Sequence, residues 1–380
     1  MKIKEIKAHI FHRTPAIYQW KEDWAPRSLD HVFVRLITDT GLEGHCITYL
    51  MSPMELKYAM PGLQAAVVGR DPHEVEAISY ALTDRLDRPT PVASTVDICL
   101  WDLIGKIHNE PIYRLLGAAR NRIRAYASTF VCKNDDEYVK LALDCREQGF
   151  NAYKIHPYGA PDRDIETCRA VRQAVGKSMD LMLDPVNEYD RYGAAKVAKA
   201  LEDLDFYWLE CPISDADVDG LRDLTRSFRI PITAVESIAG GLRYYPQYLK
   251  DPAVDSIRSI GDWIGGISAM KKAAALCEAH NVKYEPHSYG TVHIQAAHLH
   301  VMLAIHNCDF FEIPVPQGCL DIGMKDVIRV EKDGFVNAPT KPGLGYDVDW
   351  TQIEKHTSEV LSVGELPESQ RRKGRSTAWT

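Results

Sequence analysis

From Arg122 onward, short apolar runs alternate with stretches of helical periodicity. The runs at 123–127, 152–156, 181–184, 206–210, 232–236, 254–258, 282–285 and 310–312 read as strands. The stretches between them, such as 164–175 and 193–204, read as helices. Eight strand–helix repeats predict an α/β fold, a (β/α)8 barrel in the manner of a TIM barrel. The first ~120 residues follow another pattern. There, 2–11 reads as a strand, and 31–38 with 42–47 as a hairpin around Asp39-Thr40-Gly41. Two helical stretches follow, and in the second Val92, Val96, Leu100, Leu103 and Ile107 share one face. Strands first and helices after them make an α+β unit. The barrel rhythm ends after Pro316, and Pro342-Gly343-Leu344-Gly345-Tyr346 reads as turns that lead back to the first unit. The predicted organisation is therefore an α+β domain at 1–120, the barrel at 121–320, and a C-terminal segment at 321–380 that completes the first domain.

Asp184, Glu210 and Glu236 each end an apolar run, at even intervals of 26 residues. Barrels keep their chemistry at the C-terminal ends of the strands. One acid there is ordinarily a solvated loop residue. Three in register would repel one another unless a hard cation sat between them, and oxygen-only ligands suit Mg²⁺. On the preceding strand, alternation puts Lys154 and His156 on the same face. A surface lysine and a half-buried histidine are the bland reading. The position beside the first acidic strand favours a cation and an imidazole aimed at the site. His287 ends strand seven, across the ring. Bases on two sides of one site suit proton abstraction next to a carboxylate. Glu312 ends strand eight, where it could donate to a developing enediolate only if protonated; a structural role is the alternative.

Composition narrows the partners. The chain has 380 residues and a formal charge of −8, with no Lys/Arg run that could track a phosphate backbone, so no nucleic-acid partner is expected. No apolar run is long enough to span a bilayer, and Met1-Lys2-Ile3-Lys4-Glu5-Ile6 lacks a signal-peptide core. Nine cysteines without a C-x-x-C read as buried thiols in a reducing cytoplasm. The polar, charged tail at 365–380 reads as loosely ordered unless a neighbouring subunit holds it, and a homo-oligomer is expected.

Several motifs carry a resemblance over nearly the whole length. They are Ala93-Ser94-Thr95-Val96-Asp97 running on to Trp101-Asp102-Leu103-Ile104-Gly105-Lys106, then Trp208-Leu209-Glu210-Cys211-Pro212, Gly265-Gly266-Ile267-Ser268 and Pro342-Gly343-Leu344-Gly345. The chain resembles the enolase superfamily, most closely its mandelate-racemase-like branch. The resemblance implies that the first domain caps the barrel. It implies Mg²⁺ on Asp184, Glu210 and Glu236, a small-molecule carboxylate substrate chelating that ion, and a base at Lys154/His156 or His287 that removes the α-proton. Four positions depart from the branch. His156 replaces the second lysine of Lys-x-Lys, Val186 precedes an asparagine displaced to Asn187, Cys211 replaces a second glutamate, and Ile260 stands where an aspartate normally orients the strand-seven histidine. Asp262 lies two residues later and is the expected substitute.

The expected activity is dehydration of a polyhydroxylated sugar acid to a 2-keto-3-deoxy acid, by a hydro-lyase. A racemase, epimerase or cycloisomerase on the same scaffold, and a non-catalytic carboxylate-binding barrel, are the rivals. Substrate selection is expected from Tyr18, Trp20, Lys21, Trp24, Arg27 and His45 in the capping domain, with Glu312. The tryptophans would stack on the sugar chain, or else simply pack the cap or a subunit contact.

Overall fold

The computed structural model describes residues 1–12, 17–18, 27–83, 90–238, 240–318 and 320–365, with the backbone alone at 17–18 and 27–28. The chain opens with β1 (Ile3–Phe11), a ribbon of β2 (Ile17–Tyr18) and β3 (Arg27–Ser28), and the hairpin β4 (His31–Thr38) and β5 (Glu43–Thr48). Three helices follow: α1 (Pro53–Val67), α2 (Val75–Thr83) and α3 (Pro91–Ile107). The periodicity shows only two. α2 buries just Val75 and Ile78, too little apolar repetition to register. α1 starts on a capping box made by Ser52 and Glu55, and α3 on Thr90, whose hydroxyl accepts the Ala93 N–H.

The barrel strands are β6 (Arg122–Ser128), β7 (Ala152–Ile155), β8 (Asp180–Leu183), β9 (Trp208–Glu210), β10 (Ile232–Ala234), β11 (Ser256–Ile257), β12 (Lys283–Tyr284) and β13 (Phe310–Pro314). All eight are parallel, in the order β12-β11-β10-β9-β8-β7-β6-β13. The expected α/β barrel is therefore present. Among the described residues no ladder joins β12 to β13, and side chains close that seam. Glu312 N–H donates to Ser288 Oγ at 2.9 Å, and the Ser288 hydroxyl donates to the Glu312 carbonyl at 3.0 Å. The buried Glu285 carboxylate accepts the Asp309 N–H at 2.7 Å. Tyr126, Met182, Trp208 and Phe310 fill the interior as an apolar floor.

Two late strands tie the ends together. β14 (Phe335–Asn337) runs antiparallel to β6, and β15 (Glu359–Gly364) antiparallel to β1, giving the cap sheet order β15-β1-β4-β5. The cap meets the barrel through buried carboxylates on α3. Asp102 accepts from His45 N–H (2.9 Å), Lys106 Nζ (2.7 Å) and Leu344 N–H (2.8 Å). A Cβ on Gly343 would lie 2.2 Å from Asp102 Oδ1, and its φ is +70°, so only glycine fits there. Asp97 likewise receives the Ser268 N–H at 3.1 Å. Gly266, at φ +75°, leaves room for that carboxylate. No helix among the described residues is long and apolar enough to cross a membrane. The eight described cysteines are free, and all but Cys132 are buried.

The helix Val292–Leu303 is buried at every residue and is held by three imidazoles that accept backbone N–H groups. His293 accepts from Ile47 of the cap (3.0 Å), His298 from Gly261 (3.1 Å) and His300 from Tyr113 (3.0 Å). Each must be neutral on the accepting nitrogen. Burial lowers the three from 6.5 to about 3, about 4 and about 4. The unfolded chain therefore binds more protons than the native one below pH 6.5. Stability is whole above that pH and is lost as pH falls toward 4, at up to ~1.4 kcal/mol per pH unit for each ring. The free energy of unfolding, measured by denaturant titration, is expected to fall steeply across this window. His298→Gln, which keeps an acceptor without the titration, should make the pH dependence visibly shallower; an unchanged slope would remove this account.

Candidate active site

The strand ends bring four carboxylates and two cations together. Asp184 follows β8, Glu210 ends β9, Glu236 lies just past β10, and Glu312 lies within β13. Lys154, on β7 and 1% exposed, sits 3.1 Å from Asp184, 2.8 Å from Glu210 and 3.0 Å from Glu312. Arg258, just past β11, was not singled out from sequence. Its Nε lies 2.5 Å from Glu210 Oε1 and 3.1 Å from Glu236 Oε2, and its Nη2 lies 2.5 Å from Glu312 Oε2. Arg258 closes the predicted strand 254–258, but Asp255 interrupts that run, so the rule that flagged the acids does not single it out.

Four carboxylates against two fixed cations leave a deficit of two positive charges. One oxygen from each of Asp184, Glu210 and Glu236 lies within 4.8 Å of the others. The donor set and the charge deficit both fit a divalent cation. Burial resists ionisation of all four acids. It wins at Glu210, which is pushed up, and at Glu236, which is pushed up to about 7. At Asp184 and Glu312 the cations win. Lys154 and His156 hold Asp184 below the usual range, and Lys154 and Arg258 hold Glu312 well below it. Glu312 is therefore an ionised acceptor, not the protonated donor that the sequence left open.

The backbone around the ligands is strained. Val186, Asn187, Cys211 and Val235 have φ of 53°, 64°, 40° and 79°. Asp215, also absent from the sequence reading, holds one of these turns. Its two oxygens accept the N–H groups of Val235 and Ser237, on either side of Glu236, each at 2.7 Å. Val186 N–H donates to Asp184 Oδ1 at 3.0 Å. The displaced Asn187 still lines the cavity, as does Cys211, whose sulfur lies 3.9 Å from Glu236.

His156 and His287 line the same cavity. His156 Nδ1 faces the carbonyl of Thr129, and Nε2 lies 3.0 Å from Asp184 Oδ2. His287 Nε2 lies 3.7 Å from Glu236 and 4.0 Å from Glu312. Burial, reinforced by Arg258 and Lys154, outweighs Glu312 and lowers His287 to about 3, so its ring is neutral.

Asp262 does not orient His287. Its Oδ2 accepts the Thr48 hydroxyl at 3.0 Å, and its Oδ1 is buried without a partner. Strand alternation fails here because Gly261–Ile264 is a helical turn. Ile260 occupies the place beside His287, and Ser259 Oγ bonds Tyr284 instead. His45 also lies elsewhere: its ring pairs with Glu43 at 2.9 Å, in a second cavity with Asp102, Lys106 and Trp350. Tyr18 and Arg27 are described only as paired backbone of β2 and β3. Trp20, Lys21 and Trp24 lie outside the described residues. Two cavity atoms were not foreseen: Ser128 Oγ and Asn187 Oδ1 are buried and have no hydrogen-bond partner among the described residues.

Comparison with known proteins matches these features. Residues 137–352 match the enolase C-terminal domain-like family, and residues 26–117 the mandelate racemase / muconate lactonizing enzyme N-terminal domain. D-gluconate dehydratase of Thermoproteus tenax is 28% identical over 96% of this chain and 76% of its own length. D-galactarolactone cycloisomerase of Agrobacterium fabrum is 29% identical over 92% of this chain and 97% of its own. The crystal structure of D-glucarate dehydratase from Agrobacterium tumefaciens complexed with magnesium superposes with a TM-score of 0.84 at 26% identity, covering 94% of this chain and 100% of that one. Capping domain, parallel barrel and acidic strand ends thus place the chain in the enolase superfamily, in its mandelate-racemase-like branch.

Proposed function

We propose that this protein is a Mg²⁺-dependent hydro-lyase that dehydrates a polyhydroxylated sugar acid to a 2-keto-3-deoxy acid. The observation that carries the reading is one cavity that holds a divalent-cation ligand set with two imidazoles, His156 against Asp184 and His287 near Glu236 and Glu312. Two imidazoles in unlike surroundings are natural candidates for the acid and the base of one reaction. D-gluconate and D-glucarate dehydratases among the relatives support the substrate class. So do Ser128 Oγ and Asn187 Oδ1, two unused polar atoms that suit hydroxyl groups.

In this reading Asp184, Glu210 and Glu236 hold the magnesium ion, which would supply divalent charge beside the substrate carboxylate. Lys154 stays charged and adds fixed positive charge where the enediolate develops. Neutral His287 takes the α-proton, and the C–H electron pair moves into the carboxylate. That pair returns to form the Cα–Cβ double bond as the β-hydroxyl leaves. His156 gives the hydroxyl a proton from Nε2, so it departs as water, and Thr129 keeps the ring aimed through Nδ1. The enol left behind tautomerises to the keto acid. Two of the relatives are cycloisomerases, so an isomerase is the rival reading.

A screen of sugar acids with Mg²⁺, read by a 2-keto-acid assay, tests the reaction. Deuterium uptake from solvent without keto acid would select the isomerase reading instead. Glu236→Gln is expected to cut turnover at least about a hundredfold with the circular dichroism unchanged. Wild-type rates in that variant would end the metal assignment. The two histidines should separate cleanly. His287→Asn is expected to abolish exchange of the α-proton, whereas His156→Gln keeps exchange and loses dehydration. The opposite pattern would reverse the roles. Asp262→Asn should change kcat less than about threefold, because its carboxylate faces Thr48; a large loss would show that it reaches His287 during turnover.

A further inference from the structure

We propose that Arg258 sets the cation preference of the site. By engaging Glu210 and Glu236 it restricts each to ligation through a single oxygen, which favours a small octahedral ion over a large one such as Ca²⁺. The inference rests on the metal reading above and needs nothing about the reaction.

Arg258 is 1% exposed and is fixed on every side. Besides Glu210, Glu236 and Glu312, its Nη2 donates to the Tyr126 hydroxyl at 3.0 Å and its Nη1 to the Glu285 carbonyl at 3.2 Å. It holds Glu210 Oε1 and Glu236 Oε2. The other oxygen of Glu210 accepts the Trp208 indole N–H at 3.0 Å. Asp184 is committed as well, Oδ1 to Val186 N–H and Oδ2 to His156 and Lys154. A carboxylate that binds an ion through one oxygen keeps lone pairs for such donors. Binding through both would take one lone pair of each oxygen and compete with the donors on that side. Mg²⁺ needs six oxygens at ~2.0–2.1 Å, so three one-oxygen ligands supply half its shell. Ca²⁺ takes 6–8 at ~2.3–2.6 Å and readily uses bidentate carboxylates. A lysine here would not do the same, because its ammonium is a single point of charge, whereas the planar fork meets Glu210 and Glu236 from one nitrogen and Glu312 from another.

Removing Arg258 also adds one net negative charge, which raises affinity for every divalent ion. The ratio between ions is therefore the quantity to read. Calorimetric titration of the full-length protein without substrate would compare MgCl₂, MnCl₂ and CaCl₂ for wild type, Arg258→Gln and Arg258→Lys. Wild type is expected to bind Mg²⁺ and Mn²⁺ more tightly than Ca²⁺. The Ca²⁺/Mg²⁺ ratio of dissociation constants should fall about tenfold in Arg258→Gln and part of that in Arg258→Lys, which keeps the charge but not the fork. Should Arg258→Gln fail to fold, Arg258→Lys carries the comparison alone. An unchanged ratio in a folded variant, or a wild type that prefers Ca²⁺, overturns the inference and leaves the metal site standing. A wild type that takes up no divalent ion overturns both.

Discussion

Three buried carboxylates and the half-buried Glu236 face two fixed cations at the mouth of this barrel, and much of the local structure answers that imbalance. An unpaired buried charge costs several kcal/mol, so Lys154 and Arg258 are each shared among three acids. Even so, Glu210 and Glu236 resist ionisation. The left-handed residues beside the ligands cost on the order of 1–3 kcal/mol each. They persist because carboxylate and backbone contacts, Asp215 above all, over-determine those turns. Strain and repulsion at one point are what a cation site looks like from the protein's side.

How much of this was legible depends on the kind of signal. Apolar runs at barrel spacing showed all eight strands, because each is bounded by a change of periodicity. The three acids that fit a divalent cation were legible by the same rule, being the first charge after each run. Arg258 closes a run that Asp255 interrupts, its carboxylate partners lie 22 to 54 residues away, and an isolated arginine suggests a surface. Asp262 misled because alternation was carried past the end of a strand into a helical turn. Ser128 and Asn187 matter for lacking partners, and a missing contact leaves no pattern in a sequence. His45 misled for a different reason: it ends up in the cap, held by Glu43 and stacked edge-on to Trp350.

The motifs that carry the resemblance and the positions that depart from it lie in different places. Asp97 with Gly266 and Ser268, and Asp102 with Gly105 and Gly343, form the seam between cap and barrel. A Cβ on Gly105 would lie 2.5 Å from Gly343, so that seam leaves little room for change. His156, Val186, Asn187 and Cys211 all line the cavity, and Ile260 adjoins His287. The seam makes the fold, and a shared fold says little about chemistry. The cavity makes the reaction, and there this chain has its own set. With Ile260 beside it, His287 has only the longer contacts to Glu236 (3.7 Å) and Glu312 (4.0 Å), and burial outweighs them. His156 is held between the Thr129 carbonyl and Asp184. An aspartate at position 260 would give His287 a comparably close carboxylate. Without it the two rings sit in unlike surroundings, and that asymmetry is what the proposed dehydration would use, with a proton removed at one carbon and one added to a departing oxygen at the next.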